Sequence, residues 1–384
     1  MTIEQKVIDW RRHLHKHPEF GTEEYKTSEF VANKLEEFGL DVHRGIGGTG
    51  VVGILRCGNS NRSIGLRADM DALRICEANT FSHASIHDGA MHACGHDGHT
   101  AMLLGAAHEL SKNRNFDGTV YFIFQPDEER GTGAKAMIKD GLFTRWNMDA
   151  IYAMHNLPGI PEGQFLTRPS SLMASESSFE IDVIATGGHA AMPHMGTDPI
   201  VVGAQIVTAM QTIVSRNLSA INETAVLSVT EFATNGTVNV IPSQVKITGD
   251  TRSFTDEALG KIEKAIERIV AGQCMSAGVD YKYHFNNSFL STINTPEETA
   301  HAIKAAEKVV GAENVNGSCE PFTISEDFSF MLREVKGCYI LVGNGKGECG
   351  GTALHNPLYD FNDNILMKGV NYWQALVEGQ LNKG

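Results

Sequence analysis

The sequence contains no apolar run approaching the roughly 20 residues needed to cross a bilayer, which excludes a transmembrane-helix reading. Its first residues, Met1-Thr2-Ile3-Glu4-Gln5-Lys6, lack the apolar core of a secretion signal. Cysteine is sparse: seven in 384 residues, an odd number scattered without a spacing rule, which is no disulfide framework. Together these absences predict a reduced, cytoplasmic protein. Basic residues are the minority, 32 Lys and Arg against 46 Asp and Glu, for a formal charge of -14. That balance repels phosphate backbones and predicts neither a nucleic-acid nor a membrane partner. Internal repeats and low-complexity tracts are lacking too. What remains is a chain of 42% hydrophobic and 20% charged residues, long enough for about two domains with a large core.

Chemistry is concentrated in Met91-His92-Ala93-Cys94-Gly95-His96-Asp97-Gly98-His99-Thr100, ahead of an apolar run from Ala101 to Ala107. The pattern predicts a helix over 98–111 with Asp97 as its N-cap and with Cys94 and His96 in the preceding turn. Thiol and imidazole together favour zinc or a late first-row metal. The plain alternative is a buried thiol with histidines that cap or fill. Further ligands from elsewhere in the chain decide between the two.

Amphipathic helices are predicted over 3–17 and 23–38, with Pro18 and Gly39 as stops. The cluster Arg12-His13-Leu14-His15-Lys16-His17 splays around the first helix and is read as its solvated face. Three apolar strands then end in polar residues. Ser63–Ala68 leads to Asp69 and Asp71, Thr119–Gln125 to Asp127, Glu128 and Glu129, and Asp149–Met154 to His155 and Asn156. Continuous apolar strands alternating with a helix over 133–142 indicate an α/β sheet, whose sites form beyond the carboxyl ends of its strands. The strand-end acids, His155 and the Cys94–His96 turn therefore converge in this reading. Adjacent carboxylates at a buried strand end call for a cation, and Glu128 with Glu129 suits a division into proton handling and metal binding.

From residue 179 the pattern becomes β-α-β-β-α-β: strands at 179–185, 225–230, 244–249 and 280–285, helices at 198–216 and 256–277. That order is ferredoxin-like, two helices on one face of an open sheet. The predicted division is 1–176 and 291–384 for the first domain, with 177–290 inserted as a small domain. A helix at 296–310, a strand at 338–342 and a helix at 363–381 complete the first.

The runs RADMDAL, MHACGHDGHTAMLLGAA, QPDEE, AMHNLP, GGHAAMPH, NVIP, GDTRSF, EDFSFM and LHNPLYDFND resemble the aminoacylase/amidohydrolase branch of the M20 metallopeptidases. That branch includes hippurate hydrolases, auxin-conjugate hydrolases and N-acetyl-diaminopimelate deacetylases. The likeness spans nearly the whole chain, with its motifs in family order. It implies a zinc-aminopeptidase-like α/β catalytic domain with an inserted ferredoxin-like α+β lid that dimerises. It implies two divalent ions per subunit, whether zinc, manganese, nickel or cobalt, held by Cys94, His96, Glu129, His155 and His355. Glu128 is then the general base acting on a metal-activated water. Asp69, where related peptidases commonly carry a ligand histidine, and Asp71 stand behind the ligands and orient them. His189 is the implied lid donor to the carbonyl oxygen, often across the dimer interface, with His194 a weaker candidate. Asn239 and Arg252 match lid positions that hold the substrate carboxylate. His99 and His108 are read as packing, with a place behind the ligands as the alternative for His99. Where the family often has proline after RADMDAL, this chain has Arg74-Ile75-Cys76, so the acyl preference does not carry over.

The implied activity is hydrolysis of N-acyl-L-amino acids, of N-acetyl or N-aroyl type, by a homodimer or tetramer. The rivals are a dipeptidase or carboxypeptidase of the same family and a non-catalytic binding protein on this scaffold. Against the last, every mapped position carries a competent residue.

Overall fold

The structure is a computed structural model describing residues 1–347 and 350–383. Two helices open the chain, α1 (Ile3–Lys16) and α2 (Tyr25–Glu37), each burying one apolar face: Val7 and Leu14 on α1, Val31 and Leu35 on α2. Strands β1 (Asp41–Ile46), β2 (Gly50–Cys57) and β3 (Ser63–Asp69) follow, then α3 (His96–Asn113), β4 (Gly118–Gln125), α4 (Gly133–Lys139), β5 (Ala150–Pro158) and β6 (Phe165–Leu166). Every residue of β3 is buried, as expected of a strand covered on both faces.

The chain next builds a second compact unit, Met173–Thr292 with Phe322–Glu326. It holds β7 (Glu176–Ile184), α5 (Pro199–Thr212), β8 (Ala225–Thr234), β9 (Gln244–Ser253), α6 (Asp256–Ala277) and β10 (Asp280–Phe289). Its four strands lie in the order β8-β9-β7-β10, all antiparallel, which is the ferredoxin-like arrangement. Burial alternates along β7, so Phe179, Ile181 and Val183 face Val202, Ile206 and Met210 of α5 and Ile262, Ile266 and Val270 of α6. Each such side chain contributes roughly 1.5–3 kcal/mol by leaving water. Asp198 caps α5 through the Ile200 N–H at 2.9 Å, and Thr255 caps α6 through the Ala258 N–H at 3.1 Å.

Back in the first unit come α7 (Pro296–Val310), β11 (Val315–Asn316), β12 (Gly337–Gly345) and α8 (Leu366–Gln380). The eight-stranded sheet runs β1-β2-β4-β3-β5-β12-β6-β11, with β3 parallel to β4 and β5, and β5 parallel to β12. The α/β reading therefore holds, with an antiparallel edge at β1 and β2. Among the described residues no helix is long and apolar enough to cross a membrane.

Two local expectations are corrected. Helix α3 starts at His96, after Gly95 at φ 100°, so Asp97 lies in its first turn and caps nothing. Gly95 is required there, since a Cβ would collide with the Asn156 side-chain oxygen. His15, expected on a solvated face, is fully buried between Asp97 and Glu77, at 2.8 and 3.1 Å. The neighbouring Arg11 is fully buried as well and pairs with Asp97 at 3.0 Å and with Asp360.

Candidate metal centre and active site

The parallel register sets the polar strand ends side by side. Asp69 at the end of β3 is opposite Gln125 at the end of β4, and Arg67 is opposite Ala153 of β5, two residues before His155. Helix α3 points its first residues at the same edge. As a result Cys94, His96 and Glu129 offer donor atoms within 4.8 Å of one another. Cys94 Sγ lies 3.4 Å from His155 Nε2, and His355 Nε2 lies 3.4 Å from Glu129 Oε1. All five implied ligands thus meet in one place. His355 is the most exposed of them, about half open to solvent, and sits at φ 62°, a strained conformation for a residue with a Cβ.

The surrounding hydrogen bonds aim the rings. His96 Nδ1 donates to Asp71 Oδ1 at 3.1 Å and His155 Nδ1 donates to the Asn156 carbonyl at 2.6 Å, which leaves both Nε2 atoms facing the cluster. Asp71 also accepts from the Glu129 N–H at 3.1 Å, so one carboxylate orients a ring and a backbone. Asp69 is 2.6 Å from His99 Nδ1 and 2.7 Å from the Arg67 guanidinium. His99 Nε2 accepts the Asn156 N–H at 3.0 Å. His99 therefore does more than fill space, whereas His108 packs against Trp10 and Phe38 as expected.

Electrostatics favour a cation here. Burial opposes protonation of His96, yet Asp69, Asp71 and Glu129 push its imidazole up to about 10. Burial and the carboxylates of Glu129, Glu128 and Asp69 push the Cys94 thiol well above its usual range. Burial, reinforced by His99, holds His155 neutral, the form in which a histidine ligates. Among the described residues, His96 Nε2 and Glu129 Oε1 have no hydrogen-bond partner although both are buried. Buried ligand atoms without hydrogen bonds, set among surplus carboxylates, fit divalent ions, and the thiol, imidazole and carboxylate set suits a borderline-soft one.

Glu128 is buried beside this cluster, its Oε1 accepting the Asp327 N–H at 3.4 Å. The Asp327 side chain is held in turn by Arg67 at 3.0 Å, Gln125 at 2.8 Å and the Ala134 N–H at 2.9 Å. Asp327, Arg67 and Asn156 belong to the site's supporting frame; the sequence places Asn156 at a strand end but gives none of the three a role. Only the run EDFSFM pointed toward Asp327.

The remaining candidates belong to the second unit. His189 and Asn239 are brought together on a two-stranded ribbon, where His189 is opposite Val240 and the Ala190 N–H donates to the Asn239 carbonyl at 3.1 Å. His194 is exposed in the short 3₁₀ turn Pro193–Met195. Arg252, on β9, is already engaged, 2.7 Å from Glu176, 3.0 Å from Asp250 and 3.0 Å from the Ser325 hydroxyl.

Known proteins resemble this chain over nearly its whole length. The hippurate hydrolase of Campylobacter jejuni is 38% identical over 366 residues, covering 95% of this chain and 94% of that protein. The N-acetyl-L-cysteine deacetylase of Bacillus subtilis is 35% identical over 372 residues, covering 96% and 86%. A dinuclear metal binding peptidase from family M20, also of Bacillus subtilis, superposes with a TM-score of 0.85 at 29% identity, covering 98% and 97%. The profile of peptidase family M20/M25/M40 matches residues 65–379, and the chain belongs to that family.

Proposed function

We propose that this protein is a metal-dependent amidohydrolase that cleaves N-acyl-L-amino acids to a carboxylate and a free amino acid. The observation that carries the reading is the convergence of Cys94, His96, Glu129, His155 and His355 beside a buried Glu128. Hippurate and N-acetyl-L-cysteine, which name two relatives, are both N-acyl amino acids with a free carboxylate.

Cys94, His96, Glu129, His155 and His355 would hold two divalent ions, of zinc, manganese, nickel or cobalt. Such ions supply Lewis acidity and make water a nucleophile near neutral pH. Glu128 takes a proton from that water and delivers it to the departing amine nitrogen, which needs a carboxylate near the cluster yet outside the ligand set. The Asp327 N–H at 3.4 Å supports this by fixing where the Glu128 oxygen sits. Asp69 and Asp71 orient the rings of His99 and His96.

His189 is the donor to the carbonyl oxygen as it gains charge. Its Nδ1 accepts the Ala191 N–H at 3.1 Å, so Nε2 carries the proton available for donation. Asn239 and Arg252 hold the substrate carboxylate, Arg252 by exchanging Glu176 or Asp250 for it. The second unit serves as lid and as the dimer contact, which lets His189 act in the neighbouring subunit.

The test is turnover of a panel of N-acetyl, N-benzoyl and dipeptide substrates by protein loaded separately with each metal. Release of free amino acid from the N-acyl members supports the proposal. Preference for dipeptides would make it a dipeptidase, and no turnover with any metal would leave a binding protein.

A further inference from the structure

The turn that carries Glu128 and Glu129 is hung from carboxylates. Strand β4 ends at Gln125, and the chain then bends through Asp127, whose φ of 52° lies in the left-handed region that a residue with a Cβ rarely adopts. This bend redirects the two following side chains toward the strand end. Such a conformation persists only where its surroundings over-determine it.

Its backbone is held at alternate residues. The Glu129 N–H donates to Asp71 at 3.1 Å, and the Asp127 N–H donates to Glu24 Oε1 at 2.9 Å. Glu24 is fully buried just before α2, and its other oxygen accepts the hydroxyl of Thr49, in the β1–β2 turn, at 2.6 Å. The loop before Glu24 presses on the same turn. Arg130 pairs with Asp127 at 2.6 Å and donates to the Gly21 carbonyl at 2.9 Å. A Cβ at Gly21 would collide with the Asp127 carboxylate, so only glycine allows that approach. Three segments distant in sequence therefore converge on one bend.

We propose that Glu24 is a positioning residue for the Glu128–Glu129 pair, acting through the Asp127 N–H, and this rests on the function proposed above. A buried N–H needs a partner, and the Asp127 N–H finds it in Glu24. A carboxylate is an expensive choice of acceptor there. Burial, with Asp71 nearby, pushes Glu24 up to about 7 even though the Thr49 hydroxyl and the Asp127 N–H act the other way. Glutamine offers the same acceptor to Asp127 and an N–H to the Thr49 oxygen without the charge. Alanine offers neither.

The experiment compares Glu24→Ala, Glu24→Gln and Thr49→Val with wild type, each loaded with cobalt. Expected for Glu24→Ala is a loss of about 10- to 100-fold in kcat on N-benzoylglycine, with little change in KM, since small misplacement of catalytic groups acts on kcat. Its visible cobalt absorption should also change, because Glu129 sits differently. Glu24→Gln should restore both to near wild type. Wild-type kcat and spectrum in Glu24→Ala, or a Glu24→Gln protein as impaired as the alanine variant, would overturn the proposal. Should Glu24→Ala fail to fold, Thr49→Val carries the test: a several-fold loss of kcat is expected, and wild-type values refute. If wild type hydrolyses no N-acyl amino acid, the functional reading fails separately, and the cobalt spectra still report whether Glu24 places Glu129.

Discussion

Replacing Arg11 by methionine tests the buried charges on which the start of α3 rests. Arg11 is fully buried, with Nε 3.0 Å from Asp97, Nη2 on Asp360 and Nη1 3.5 Å from Asp363. Asp360 and Asp363 are partly exposed and can take up water once the guanidinium is gone. Asp97 cannot, because its side chain is wholly buried and, among the described residues, His15 at 2.8 Å is the ion-pair partner that would remain, with His92 near. Removing one member of a buried pair costs about 3–5 kcal/mol, and the surviving histidine places this case near the lower end, about 3 kcal/mol. For a unit of this size that is a fall in Tm of roughly 6 °C.

The pH dependence adds a sign. Burial disfavours the Asp97 carboxylate, but Arg11 and His15 hold its pKa far below the usual range. Its contribution is therefore present above the ordinary carboxylate pKa and lost only as pH falls through the depressed folded value. His15 is the opposite case: burial works against its charge, yet Asp97 and Glu77 raise its pKa. Its contribution is full below about 6.5 and is lost as pH rises through the folded value. With Arg11 gone, Asp97 depends on protonated His15, so the gap between wild type and variant should widen with rising pH. Thermal unfolding followed by circular dichroism across pH 5 to 9 measures this. An unchanged Tm throughout, or an Arg11→Met/Asp97→Asn double variant no more stable than Arg11→Met alone, would refute the reasoning.

Other expectations concern the site. Glu128→Gln should retain its metal and lose about 10²-fold or more in kcat, since general base catalysis contributes on that order; near-wild-type turnover removes Glu128 from the role. Cys94→Ala should lower metal content by elemental analysis after dialysis, and full occupancy would deny the sulfur its part. Arg252→Ala should raise KM about 10-fold for N-acyl amino acids and leave their amides little affected, as expected for one charged hydrogen-bonded contact. An equal effect on both counts against carboxylate binding. For Glu24, raised to about 7 from 4.5, the neutral form is the one the fold prefers. Stability from this group is present below about 4.5 and lost as pH rises through 7, up to about 3 kcal/mol. Glu24→Gln should flatten that slope in denaturant titrations, and a parallel slope contradicts it.

Much of this molecule is legible in its sequence because periodicity reports burial. The alternation of Phe179, Ile181 and Val183 marks a strand with one wet face, and the unbroken apolar run of β3 marks one with none. Strand ends that turn abruptly acidic locate the site for the same reason. What was misread depends on contacts that no local pattern encodes. Asp97 obeys the rule for a helix cap, but a fully buried arginine from α1 claims it. His15 sits among residues that splay around a helix, and nothing in that helix says which of them meets Glu77. Glu24 and Asp327 are each the second of two adjacent acids, but neither pair ends an apolar strand, and their roles arise from the 2.9 and 3.4 Å contacts that tertiary folding creates.

The most direct measurement is anomalous diffraction, at the absorption edge of the bound metal, from crystals of the metal-loaded protein. Two peaks are predicted, within ligand distance of Cys94 Sγ, His96 Nε2, Glu129, His155 Nε2 and His355, with Glu128 adjacent but not ligating. Peaks lying elsewhere, or a single ion that leaves most of those five atoms untouched, would contradict the account.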